Sequence, residues 1–367
     1  MIIPRLPFYL KVSQLLIGIC AFFFILYIGS AIILPVLFSL VIAILLNPFV
    51  NFLHRRKINR VIAIFMAVIV TIILVAALIY FLTSQMIRFS ESFPEMKDQL
   101  LLLLHDIVNW VSLTFNISTA QVNAWIDNLR SKGIENSSIV VGQTLNAIKG
   151  ILILVFLIPV YIFMFLFYKP LLLDFIGKLF ESDNHKTVGD VLKQTKHLIQ
   201  NYLIGLIMEM VLVAALNCAG LLILGIQYAL LLGVIGAILN VIPYVGGLVA
   251  VLLTMLIALA TESPTAALLV FIMYVVVQLI DNYWIVPKIV GSKVKLNALI
   301  SIIVVLIGGA IWGIPGMFIA IPLTAIVKVI FDRIDGLNAW GFLLGDTMPP
   351  IGQGLFRLPQ LKKKKSG

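Results

Sequence analysis

Two stretches of this chain share one pattern: IGAILNVIP at residues 235–243 and IGGAIWGIP at residues 307–315. Each lies inside a long apolar run without charged residues, at 229–260 and 299–327. Proline removes a helical hydrogen bond, so both runs are predicted to be broken membrane segments. Backbone groups freed by a break cannot face lipid and must be buried in protein or line a cavity. Matching pairs of interrupted apolar segments are typical of transport sites.

Glycine and proline residues mark where these segments break and where they pack. Small residues allow helices to approach closely. The glycines therefore have two interpretations: tight packing without a ligand, or a surface along which helices slide or rock. The predicted helix breaks are Pro243, Gly246, Gly247, Gly313, Pro315 and Gly316, and the predicted packing glycines are Gly236, Gly308 and Gly309.

The composition of the 367 residues predicts an all-α protein that crosses a membrane many times. Hydrophobic residues make up 62% and charged residues 11%, and the mean hydropathy is +1.13. Soluble proteins carry about 25% charged residues. About eight hydrophobic segments are expected: 12–28, 31–46, 61–83, 151–168, 202–224 and 266–285, besides the two broken ones. The first is expected to be a retained anchor, and the first two to form a tight hairpin about Gly29-Ser30.

Charge distribution predicts the orientation. The loop at 47–60 holds Arg55, Arg56, Lys57 and Arg60 and no acid, so the positive-inside rule places it and the N-terminus in the cytoplasm. The net charge of +10 is explained by such loops and by a basic tail, without nucleic acid. The expected organisation is 1–83 membrane segments, 84–148 an external helical region, 149–201 a segment and linker, 202–331 a transport core, and 332–367 a cytoplasmic tail.

The broken segments allow two topologies. Eight plain crossings would place the basic loop with Lys288 outside, against the charge bias. Two re-entrant hairpins would keep that loop inside and would make 202–260 and 266–327 an inverted repeat whose breaks meet. At ~1.5 Å per residue the halves of the first segment reach only about 21 to 24 Å, short of a core of ~30 Å. Length and charge favour the hairpins, and one helix kinked at Pro243 is the alternative.

The region after the third span contains apolar faces that need a partner. Apolar residues recur at helical spacing from Met86 to Val111, and a second helix is predicted from Ser118 to Gly133. These faces are expected to stack on each other, on a neighbouring subunit or along the bilayer surface. Cys20 and Cys218 lie in apolar runs and are predicted to be small buried hydrophobic residues without a disulfide.

Enzyme signatures are absent, since the chain has neither a phosphate-binding G-x-x-x-x-G-K-[S/T] loop nor G-x-S-x-G. No cofactor and no metal site are predicted, because the four histidines lack ligand spacing. The candidate chemistry consists of polar groups inside spans, which are costly there and usually face a cavity. The candidates for transport or coupling are Asp281, Glu209, Gln278, Asn282, Asn240 and Asn217.

A carboxylate beside amides and unwound carbonyls can take and release a proton or a small cation. Each acid also has a structural interpretation. Asp281 could cap a helix at the membrane interface or pair with Lys288, and Glu209 could form an interhelical hydrogen bond.

At these residues the chain resembles the autoinducer-2 exporter superfamily of bacterial permeases. The resemblance is carried by NVIPYVGG at 240–247, QLIDNYWIVPKIVG at 278–291, Gly308-Gly309, GIPGM at 313–317 and Ala320-Ile-Pro322. The family usually has a proline where this chain has Ala298. The resemblance implies a multi-pass bacterial inner-membrane protein that assembles as a homo-oligomer, and members are linked to export of the furanone autoinducer-2 or to sodium/proton exchange.

Three functions follow. The first is a secondary transporter that exports a small polar solute or signal with protons. The second is a sodium or lithium/proton antiporter, and the third is a membrane scaffold without transport. The expected partners are the lipid bilayer, a small polar solute and a proton or monovalent cation.

Overall fold

The computed structural model describes residues 7–115, 156–242, 245–289, 296–334 and 336–347. Those residues form helices joined by short turns, which confirms the all-α prediction. The helices are α1 Phe8–Ile28, α2 Ser30–Arg55, α3 Arg60–Phe115, α4 Phe156–Phe167, α5 Lys169–Lys178, α6 His185–Ile223, α7 Ala229–Asn240, α8 Val245–Thr261, α9 Pro264–Ile280, a π-helix Asp281–Ile285, α10 Val286–Ile289, α11 Ala298–Phe331 and α12 Asn338–Leu344.

Among the described residues, five helices are long and apolar enough to cross a membrane, or six if the bent pair α4 and α5 counts as one span. The five candidates are Ser30–Arg55, Arg60–Ser92, His185–Ile223, Pro264–Ile289 and Ala298–Phe331. Their outward faces are rich in exposed apolar side chains, as expected for surfaces that contact lipid. The chain is therefore an integral membrane protein.

The predicted hairpin between the first two segments does not form. Gly29 has φ −76° and ψ 3°, its N–H donates to the carbonyl of Ile25, and its carbonyl accepts from Ile33. These are near-helical values and helical hydrogen bonds, so α2 follows α1 with a bend. Cys20 is exposed on α1, which corrects the prediction that it is buried.

The first broken segment is a helical hairpin formed by α7 and α8. A Cβ placed on Gly236 would lie 3.6 Å from the Cβ of Ala250, so the two helices run side by side in opposite directions. They contain 12 and 17 residues, about 18 and 26 Å long, and neither reaches across a core of ~30 Å. A single kinked rod is therefore wrong for this segment. Pro243 lies outside the described residues.

The second broken segment folds back within α11. Gly313 has φ 64° and ψ −147°, a conformation open essentially only to glycine. The backbones of Gly308 and Gly316 touch, although a straight helix would hold them about 12 Å apart. The break therefore lies at Gly313, so α11, although long enough to cross a membrane, is not one straight span. Both broken segments are hairpins that each follow a long helix, and the inverted repeat stays a prediction.

The region after the third span is partly as predicted. The apolar helix at 86–111 does not start separately, because α3 continues unbroken to Phe115. Its extension packs on the open end of the first hairpin: Met96 is buried in the same core as Ala258, and the ring of Phe89 stands edge-on to Tyr228 at 5.3 Å. The second helix predicted at 118–133 lies outside the described residues.

Candidate functional site

A cavity of about 560 Å³ opens beside the tip of the first hairpin, between α6, α7, α8, α9 and the π-helix. Its described polar lining is Tyr202, Glu209, Asn240, Tyr274, Gln278, Asp281 and Asn282. Apolar side chains complete the wall, among them Leu206, Val251 and Phe271. Two of the described lining residues are acidic and none is Lys or Arg, so the cavity favours a cation, a proton or hydrogen-bond donors.

Asp281 is the most buried acid of the cavity, with 2% of its surface exposed. Its Oδ2 accepts a hydrogen bond of 2.9 Å from Nδ2 of Asn240, and its Oδ1 has no partner among the described residues. The residue begins a π-helix, Asp281–Ile285, which interrupts the helix that starts at Pro264. Single π turns inside α-helices are frequent at functional sites, because the extra residue turns the side chains that follow.

Glu209 reaches the cavity from α6 and is 8% exposed. It therefore faces the same space as Asp281, although it lies on α6 and Asp281 begins the π-helix. Two carboxylates that face one cavity repel each other when both are charged. Binding a proton or a cation between them removes that repulsion.

Gly247 keeps the wall of the cavity open at the start of α8. A Cβ at this position would lie 3.0 Å from Oε1 of Gln278 and 3.2 Å from Oδ1 of Asn240. The amides of α7 and α9 can thus approach the hairpin backbone. The Cβ position of Gly246 is filled by the carbonyl of Leu239, so this glycine closes the hairpin.

Asn217 is the one polar candidate that does not line the cavity. It is 1% exposed on α6, its Nδ2 lies next to Gly236, and no residue in the described ranges bonds its Oδ1. Near it the hydroxyls of Tyr274 and Thr254 lie 3.0 Å apart. Asn217, Thr254 and Tyr274 thus form a set of buried polar side chains that extends from the cavity along the first hairpin.

Sequence reasoning missed Tyr202, Tyr274 and Thr254. Tyr274 carries a signal that could have found it, since it precedes Gln278 by four positions and Asp281 by seven, and so lies on the same helical face. Tyr202 and Tyr274 did not stand out in the sequence, because the apolar runs contain many aromatic residues.

The structural interpretation of Asp281 as a partner of Lys288 does not hold. Lys288 Nζ lies over the ring of Trp284, 4.2 Å from its centroid, while Asp281 is bound to Asn240. Within the described ranges no group of three His, Cys, Asp or Glu side chains could hold a metal ion.

The second break does not reach this cavity. Gly313 and Pro315 are exposed, and the neighbouring Trp312 donates a hydrogen bond of 2.8 Å from Nε1 to the carbonyl of Leu26 on α1. From α11 only Ile321 lies among the described lining residues. The expectation that both breaks meet at one site is therefore corrected: the first hairpin forms the site, and the second packs on α1, α2 and α6.

The comparison with protein families agrees with this arrangement. The family described as AI-2E family transporter matches residues 16–336, which is most of the chain. The chain belongs to the AI-2E transporter family. The site just described lies wholly within the matched part, so a transport role is supported for this AI-2E transporter.

Individual relatives are distant and cover nearly the whole length. YueF of Bacillus subtilis (strain 168) is 26% identical over 319 residues, which is 83% of this chain and 85% of YueF. The AI-2 transport protein TqsA of Escherichia coli (strain K12) is 23% identical over 339 residues, covering 92% of this transporter and 95% of TqsA. YrrI of Bacillus subtilis (strain 168) is 26% identical over 318 residues, with coverage of 82% and 86%.

Proposed function

We propose that this transporter exports a small polar solute through the cavity beside the first hairpin and couples that export to protons. The observation that carries the proposal is the pair of acids, Glu209 and Asp281, which line one cavity without a Lys or Arg among its described lining residues. Protonation neutralises one acid and removes the repulsion between them. Proton entry and solute movement can thus be linked at one place.

The lining suits a polar solute. Amides of Asn240, Gln278 and Asn282 and the hydroxyls of Tyr202 and Tyr274 provide both donors and acceptors. The volume of about 560 Å³ lies within the range of about 300–1,000 Å³ typical of small-molecule sites. The name of TqsA as an AI-2 transport protein supports autoinducer-2 as the first solute to test.

The setting of the proposal is a homo-oligomer in the bacterial inner membrane, with both termini in the cytoplasm. The basic loop Arg55–Arg60 between α2 and α3 supports this orientation through the positive-inside rule.

Reconstituted protein tests the proposal. Proteoliposomes loaded with a pH dye should acidify or alkalinise when autoinducer-2 is added, and the double variant Asp281→Asn plus Glu209→Gln should lose at least nine-tenths of this signal. The control is Asp332→Asn, which also removes an acid but lies at the end of α11 and pairs with Lys328. Unchanged proton flux in the double variant would remove the coupling role of the two acids.

Exchange of sodium or lithium for protons is the second candidate. It is favoured by Oδ1 of Asp281, a buried acceptor to which no described residue donates, in a cavity that a second acid also lines. It predicts that sodium or lithium alone changes the internal pH without any organic solute. A scaffold without transport would show neither response and would tolerate Gly236→Leu and Gly308→Leu.

A further inference from the structure

A second pocket shares no described lining residue with the carboxylate cavity and lies at the ends of the helices that the basic loop joins. It measures about 410 Å³ and lies between the end of α2, the start of α3 and the start of α5. Its polar lining is Asn51, His54, Arg60, Lys169 and Asp174, with Val50, Pro170 and Leu173 as apolar neighbours.

Arg60 and Lys169, two cations of this pocket, are not held in ion pairs within the described ranges. Both side chains are half-buried. Lys169 Nζ donates a hydrogen bond of 2.9 Å to the neutral amide oxygen of Asn47. An Arg60 guanidinium nitrogen donates a hydrogen bond of 2.9 Å to the carbonyl of Leu166. Burial and the nearby positive charges of Lys196 and Arg60 lower the pKa of Lys169, so these groups repel each other.

The cations retain free donors. The Arg60 guanidinium has five N–H groups and the Lys169 ammonium has three, and each side chain gives one to a neutral protein acceptor. Arginine forks and lysine ammonium groups are the usual ligands of phosphate oxygens. Asp174 is the acid in the lining, and it is exposed at the edge.

The position of α5 indicates where the anion comes from. This helix bends by 62° away from α4 and exposes Leu171, Leu172 and Phe175, so it suits a place along the membrane surface. A pocket beneath such a helix faces the lipid headgroups. Basic pockets between transmembrane helices bind anionic headgroups in this way.

We propose that this pocket binds the phosphate of an anionic phospholipid headgroup. Arg60 and Lys169 contact the phosphate oxygens, and Lys196 adds positive charge from α6. The bound lipid joins α2, α3 and α5 and pairs with cations that form no ion pair with an acid among the described residues. This role is independent of the solute that the transporter carries.

The test compares lipids on purified protein in neutral detergent. Phosphatidylglycerol should remain bound in native mass spectra and raise the unfolding temperature at concentrations at least tenfold below those needed for phosphatidylcholine. Arg60→Gln plus Lys169→Gln should abolish this preference. The matched control is Arg55→Gln plus Lys57→Gln, which removes two exposed charges from the same loop outside the pocket. This control should retain the preference for phosphatidylglycerol.

Two further arms decide the remaining outcomes. Asp174→Asn removes only an exposed carboxylate at the pocket edge, so it should fold and should increase phosphatidylglycerol retention severalfold. Glycerol 1-phosphate without acyl chains should have no effect at the same concentration. Equal retention of both lipids by the unaltered protein, equal loss in the control, no gain in Asp174→Asn, or full stabilisation by glycerol 1-phosphate would each overturn the proposal.

Discussion

Asn240 donates a hydrogen bond of 2.9 Å from Nδ2 to Oδ2 of Asp281, and this bond joins the end of α7 to the start of the π-helix. It connects the first hairpin to the long helix that follows it, Pro264–Ile289. The state of the carboxyl group is thereby linked to the position of the hairpin tip. A protonated carboxyl group is a weaker acceptor, so proton binding loosens this contact.

Removing the donor should destabilise the protein. Asn240→Ala leaves a buried carboxyl group with neither oxygen bound within the described residues, and we expect the free energy of unfolding to fall by about 1–3 kcal/mol. Thermal unfolding of purified protein in detergent measures the change. Asn282→Ala is the control, because Asn282 is exposed and should change the free energy by less than about 0.5 kcal/mol. Equal effects in both variants would show that the Asn240 contact contributes nothing.

Closure of the first hairpin should depend on Gly246. The Leu239 carbonyl occupies the space of a Cβ at this position, so Gly246→Ala must push α7 and α8 apart. We expect a much lower yield of monodisperse protein in size-exclusion chromatography and loss of transport. Gly189→Ala lies in the exposed first turns of α6, where a Cβ would meet no described atom within 4 Å, and should leave both unchanged. A normal yield and flux for Gly246→Ala would contradict the close contact at the tip.

The fold-back of α11 should depend on the conformation of Gly313. An alanine at φ 64° and ψ −147° is strained whatever space surrounds it, by about 1–3 kcal/mol. Gly313→Ala should lower the unfolding temperature, or straighten α11 and separate Trp312 from Leu26. A crosslink between cysteines at these two positions measures the second outcome. Gly18→Ala within α1, where the described part of the chain has no atom within 4 Å of the new Cβ, should be neutral or stabilising. An equal loss of stability there would contradict the prediction.

The first hairpin should enter and leave on one side of the membrane. Glu262 follows α8 and Lys288 lies on α10 beyond the cavity, and both are exposed. In a background with Cys20 and Cys218 replaced by alanine, Glu262→Cys should react with a membrane-impermeant maleimide from outside. Lys288→Cys should react only after the cells are opened. Labelling of Lys288→Cys from outside would contradict the predicted orientation of the re-entrant hairpin.

Several features could be predicted because each depends on local sequence. The apolar runs predicted the helices, and the spacing of Pro243, Gly246 and Gly313 predicted breaks near the positions where the helices end or reverse. The polar residues Glu209 and Asp281 were expected to face a cavity because lipid exposure is too costly, and both line one. Gly29 shows the limit of such signals, since a glycine between two apolar runs fits a bend as well as a hairpin.

By itself the sequence determined a helical membrane protein with two interrupted segments and a small set of polar groups forced to face protein. It could do so because lipid leaves every backbone and charged group only a few ways to be satisfied. Only the tertiary structure decided that Asn240 bonds Asp281 and that Tyr274 lines the same cavity. It also decided that the second break packs beside Leu26 instead of at the cavity. Those contacts join residues far apart in the chain, and they depend on how whole helices pack, which no local pattern encodes.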